Sequence, residues 1–215
     1  MTQPDTRAKR LAFGTKRLVF VWFLGGFIEW TIQYLNQWFS PLTASANLPF
    51  EAAIGDVCAV FFLLWKWPQV FALSRIRPRL GDLAVGIPLG YLMANISAAI
   101  LGRSALENDW ILTNPARKLT FICAVLIVPV AEELIYRGAI LGSLLERTSV
   151  LWAVAITVAG ATVMHDSWLT AFPGQVFLCT AYLIRRRSIP ASIIAHATAN
   201  AAIFAPSLLI VFHTK

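Results

Sequence analysis

Long apolar runs fill the chain, separated by short polar or basic breaks, and the runs show no period-2 alternation. Crossing the hydrocarbon core of a bilayer takes about 20 apolar residues in a helix. Lipid offers no partners to backbone polar groups, so a spanning segment must be helical or part of a closed barrel. The missing alternation selects helices. Seven spans are expected, at residues 18–38, 52–73, 82–101, 119–145, 150–167, 168–184 and 189–212. Lys66-Trp67-Pro68 is a potential break in the second and Pro173-Gly174 in the sixth, because an internal proline removes a helix donor. The expected fold is all-α, a polytopic transmembrane bundle over residues 1–215 behind a basic tail at 1–17, with no repeat, low-complexity tract or soluble domain.

Composition strengthens this picture. Hydrophobic residues make up 58% of the 215 and charged ones only 13%, far from a soluble average. A net charge of +7 would suit nucleic acid if it formed one patch, but the 18 Lys and Arg fall in short clusters between apolar runs, so no nucleic-acid partner is expected. Five in the tail, Arg75, Arg77, Arg79, Arg147 and Arg185 to Arg187 make twelve on one side; Arg103, Arg117, Lys118 and Lys215 make four on the other. That asymmetry predicts a cytoplasmic N-terminus. Ala44-Ser45-Ala46 resembles a signal cleavage site, but it lies too far along and Glu29 interrupts the apolar run, so the segment is read as a first span. Cys58, Cys123 and Cys179 stand singly in apolar runs and are read as buried spectators, outside any disulfide or metal set.

Ionisable residues inside spans are costly, which makes each a functional hypothesis. The fourth span carries Pro129-Val-Ala-Glu132-Glu133-Leu-Ile-Tyr136-Arg137-Gly138. Glu133 and Arg137 are i, i+4 neighbours that can pair, leaving Glu132 about 100° round the helix and free to face another element. The fifth span ends in Met164-His165-Asp166, and the seventh holds His196-Ala-Thr-Ala-Asn200, with both polar residues on one face. A carboxylate, two imidazoles and a carboxamide around one cavity would supply a base for water and donors for an oxyanion. Glu29, Gln33, Asn36 and Gln37 in the first span, and Asn95 and Ser97 in the third, are read as packing positions.

This set resembles the CPBP family of intramembrane proteases, also called the CAAX protease family, whose signature is EExxxR, FxxxH and HxxxN on three successive helices. Here Glu132-Glu133-Leu-Ile-Tyr-Arg137, His165 and His196-Ala-Thr-Ala-Asn200 follow in that order. The resemblance implies a catalytic core in the last four spans, residues 119–212, in an integral protein of a bacterial inner membrane. It implies Glu132 as general base, His165 positioning or polarising water, His196 and Asn200 stabilising the oxyanion, and Glu133 with Arg137 in support. The family's phenylalanine four residues before the first histidine is Ala161 here, a loss expected to enlarge the pocket.

The expected activity is thus an endopeptidase acting near the C-terminus of a membrane-delivered peptide, either a CAAX-type tail or a sorting signal or propeptide. No cofactor is expected; the alternative is zinc held by Glu132, His165 and His196, although no HExxH occurs. Two other classes compete: a non-catalytic membrane partner such as a bacteriocin-immunity protein, and a proton-coupled transporter, for which internal repetition is missing. Along the expected spans Glu132 lies mid-membrane, His196 towards the cytoplasmic half and His165 towards the outer half, so their depths disagree.

Overall fold

The computed structural model describes residues 48–101, 121–165 and 168–213, with the backbone alone at 48–52, 101 and 205–213, and eight scattered positions between Lys16 and Tyr34. The described residues are helical throughout their regular elements. Helix α1 is Leu48–Lys66, followed by a 3-10 turn at Pro68–Leu73. Helix α2 is Leu80–Leu101, α3 covers residues 121–145, α4 is Val150–Val163, α5 is Trp168–Ile184 and α6 is Ile189–His213.

The breaks follow local chemistry. Pro68 cannot continue α1, and the chain tightens into the 3-10 turn, so the expected second span is a helix and a turn rather than one rod. Pro173 does not break α5: the helix runs through it from Trp168 to Ile184, matching the expected span. Helix α4 starts where the Ser149 side chain accepts from the Trp152 amide. It ends at Val163, four residues before the expected boundary. The first expected span, with Glu29, Gln33, Asn36 and Gln37, lies outside the described residues apart from those scattered positions; Phe20 packs against Phe62 and Trp67 there.

Helix α3 is not uniform. Cys123–Ile127 and Leu134–Leu141 are π-helical, bracketing an α-helical Val128–Glu133. Such widened turns redirect side chains and are frequent at functional sites. They flank the two glutamates here.

Two seams join the elements. Along the first, Gly86 and Gly90 of α2 face Ala191 and Ala195 of α6, both fully buried. A β-carbon on Gly86 would stand 2.9 Å from the Ala191 carbonyl oxygen, and one on Gly90 would run into that of Ala195. Small residues at four-residue spacing permit this approach. The second seam lies at one end of the bundle, where Arg75 N–H donates to the Arg187 carbonyl at 2.8 Å and Ile189 N–H to that of Arg75 at 3.0 Å. Asp82, fully buried, accepts from both guanidinium nitrogens of Arg75 at 2.6 and 3.0 Å, from the Arg79 amide at 2.7 Å and from the Ser188 hydroxyl at 3.0 Å. The main core gathers Leu63 of α1, Phe71 of the 3-10 turn, Ile135, Ile140 and Leu141 of α3, and Tyr182 of α5.

Among the described residues, Leu80–Ile100 is the one helix long and apolar enough to cross a membrane; Val150–Val163, Trp168–Ile184 and Ile189–Phe204 are apolar but shorter. Outward faces are strongly apolar, with Phe61, Trp65, Leu80, Leu151, Trp152 and Trp168 all exposed.

Candidate active site

Glu133 and Arg137 are both fully buried and pair at 3.0 Å, as their i, i+4 spacing predicts, despite the π-helical winding between them. The same Glu133 Oε1 lies 3.1 Å from His196 Nδ1. An ionised carboxylate only accepts, so His196 donates through Nδ1, leaving Nε2 as the nitrogen available elsewhere. One carboxylate oxygen thus organises a guanidinium on its own helix and an imidazole on α6.

Arg137 is held from a third element. Its Nη2 donates to the side-chain oxygen of Gln175 on α5 and, at 3.3 Å, to the Gln175 carbonyl. Gln175 is 3% exposed and lines the cavity next to His196. It is a site residue that motif reading missed; its signal was a lone carboxamide in an otherwise apolar helix. Asn200 donates its amide to the Ala124 carbonyl at 2.7 Å, tying α6 to the first π segment of α3 and leaving its second amide hydrogen.

A cavity of about 210 Å³ gathers His165, His196 and Asn200 with Gln175, floored by Met93 and Leu178. His165 lies beyond the end of α4, in the following turn, with its Nδ1 2.8 Å from the Ala161 carbonyl oxygen. That position beyond the helix end brings it to the same cavity as His196. Ser97, expected only to pack, also lines the cavity, whereas Asn95 is exposed and bonds its own helix at the Tyr91 carbonyl. Ala161 is fully buried in the main core and is not a lining residue, so the missing ring is absorbed by packing and not by a larger cavity.

Glu132 differs from its neighbour. It is half-buried, is not a lining residue, and its buried Oε2 has no hydrogen-bond partner among the described residues. It is near enough to Arg137 and His196 to interact with both electrostatically. Among the described residues no three His, Cys, Asp or Glu side chains gather as a metal-ligand set. Of the cysteines, Cys123 and Cys179 are buried as expected, but Cys58 is exposed on α1.

Every motif residue falls within one stretch of chain. Residues 114–202 match the family described as type II CAAX prenyl endopeptidase Rce1-like. This is the CPBP and CAAX protease relationship that the motifs carry, a family of membrane-embedded proteases, and the matched segment includes His165, Gln175, His196 and Asn200 of the cavity. The Rce1-like stretch covers less than half of the chain. No curated protein and no solved structure gave a significant match to the chain.

Proposed function

We propose that this protein is an intramembrane endopeptidase that hydrolyses a peptide bond near the C-terminus of a membrane-delivered substrate with glutamate-activated water. The observation that carries the reading is the convergence of His165, from the turn after α4, with His196 and Asn200 of α6 on one cavity, near a carboxylate whose buried Oε2 has no hydrogen-bond partner among the described residues. Glu132 takes a proton from water, with His165 orienting the oxygen. The hydroxide adds to the scissile carbonyl carbon, and negative charge builds on the carbonyl oxygen. His196, through the nitrogen not bonded to Glu133, and Asn200, through its second amide hydrogen, donate to that oxyanion. Collapse of the intermediate breaks the C–N bond, and the proton held by Glu132 passes to the leaving amine.

Glu133, Arg137 and Gln175 hold His196 in position and do not react. The apolar floor of Met93 and Leu178 suits an aliphatic side chain of the substrate, and substrates of two kinds fit, CAAX-type tails and C-terminal sorting or propeptide segments. The reaction needs no metal ion in this scheme. The protein is integral to the membrane, its apolar outer faces meeting lipid and the arginine-rich end lying in the cytoplasm.

The test is cleavage by the full chain in detergent or vesicles, using a farnesylated CAAX-terminated peptide and its unmodified counterpart, with products identified by mass spectrometry. Wild-type protein is expected to release C-terminal residues from at least one peptide, and to do so unchanged in a strong zinc chelator. Glu132→Gln should reduce turnover by about a thousandfold or more while melting like the wild type. Undiminished turnover in that variant would overturn the assignment of the base, and chelator loss restored specifically by zinc would overturn the metal-free scheme.

A further inference from the structure

The second seam holds a cavity that the proposed reaction does not use. About 390 Å³ in volume, it is lined by Arg75, Arg79, Arg185 and Arg186 with Ile184 on its wall. Two carboxylates serve this end of the bundle. Asp82 is engaged by Arg75 and, at 3.4 Å, by Arg185; Glu146 is engaged by Arg187. Among the described residues, the guanidinium groups of Arg79 and Arg186 have no carboxylate partner, although both residues are exposed and both line the cavity. The cavity therefore carries a surplus of positive charge.

The backbone that carries these arginines is fixed by hydrogen bonds across the seam. The Arg75 backbone is hydrogen-bonded on both sides, to Arg187 and Ile189. Arg186 and Arg187 adopt positive φ of 55° and 62°, a left-handed conformation uncommon for residues with a side chain. The backbone thus departs from its ordinary preference in the turn that presents Arg186 to the cavity. A planar guanidinium fork matches the oxygens of a phosphate group.

Geometry also indicates what the phosphate is attached to. From Ile184 on the cavity wall, exposed Val176 and Leu169 lie farther along α5 within about 80° of it round the helix, with Thr180 between, so that this side of the helix is largely apolar. A cationic cavity at the head of a largely apolar helix side has the polarity of a phospholipid: phosphate in the cavity, acyl chain along the helix. We infer that the arginine-lined cavity binds the phosphate of an anionic phospholipid, with an acyl chain lying along α5.

The experiment uses the full chain purified in an uncharged maltoside detergent, with binding followed by native mass spectrometry and by the shift in melting temperature. The ligands are phosphatidylglycerol, phosphatidylcholine and inorganic phosphate. Phosphatidylglycerol is expected to bind more tightly than phosphatidylcholine and to raise the melting temperature. The double variant Arg79→Gln, Arg186→Gln should bind it about thirtyfold more weakly, the size expected for two surface arginines. Arg186→Gln alone, outside the Asp82 network, keeps the fold and should show the same change at about fivefold. Equal binding of the two lipids, or unaltered phosphatidylglycerol affinity in both variants, would overturn the inference. Saturation by millimolar inorganic phosphate without any lipid preference would make this a site for soluble phosphate and overturn it too.

Discussion

Two adjacent glutamates with different surroundings should answer the same substitution in opposite ways. Glu133 is fully buried and serves Arg137 and His196 through one oxygen, so Glu133→Gln leaves a buried guanidinium without its counter-charge. Removing one member of a buried ion pair costs about 3–5 kcal/mol. Glu132 has no hydrogen bond among the described residues and is half-buried, so Glu132→Gln should change stability by no more than about 1 kcal/mol. Thermal or chemical unfolding of the two variants in the same detergent decides the matter; equal losses would mean that both carboxylates are structural. The Glu133–Arg137 pair was legible in the sequence because helix periodicity alone makes residues four apart neighbours. The bond from Glu133 to His196 was not, because it joins positions 63 residues apart and depends on how α6 docks. Gln175 was less legible still: a single amide at no informative spacing gives no hint that its oxygen meets Arg137.

Among the helices, the contact between α2 and α6 sets where His196 stands. Gly90 faces the Ala195 carbonyl, one residue before that histidine, with Thr198 close by. The obstacle to a larger side chain is backbone, which cannot rotate aside. Gly90→Leu should therefore push the helices apart, destabilising by about 1–3 kcal/mol, and should cut turnover more than a change of similar size on an exposed face such as Leu92→Ala. Melting and cleavage measured together test this. A variant with unchanged stability and activity would show that α2 does not brace the site. Periodicity and apolar length located α2, α5 and α6 within two residues at most of their ends, because long uninterrupted runs leave little choice. They did not foresee the π-helical turns of α3, whose i+5 bonding has no compositional mark, or the early end of α4 that frees His165 for the cavity. Sequence reading marked position 82 only as the start of a span, and the bonds of Asp82 to Arg75 and Ser188 come from the fold.

At the scale of the whole molecule, charge and apolarity are segregated. Arg75 and Arg79 are joined through Asp82 to Ser188 and Arg185, and Arg187 reaches Glu146, so arginines counted on one side from sequence are neighbours in space. Arg17 stacks over Trp67 with its guanidinium 5.5 Å from the ring centroid, bringing the end of the basic tail next to the turn that leads to Arg75. Outer faces of α2, α4 and α5 present Leu83, Ile87, Leu151, Trp152, Leu169 and Phe172, which water would not stabilise but acyl chains would. If lipid surrounds these faces, the arginine end belongs in the cytoplasm, where basic residues are retained. Arg77 is exposed at that end, and a cysteine there reports the orientation once exposed Cys58 has been replaced by serine. In the Cys58→Ser background, Arg77→Cys is expected to resist a membrane-impermeant maleimide on intact cells and to react in inside-out vesicles, while the chain stays with the bilayer through an alkaline carbonate wash. Labelling on intact cells would invert the orientation and turn the arginine-lined cavity to the other leaflet; release by carbonate would mean that the apolar faces meet something other than lipid.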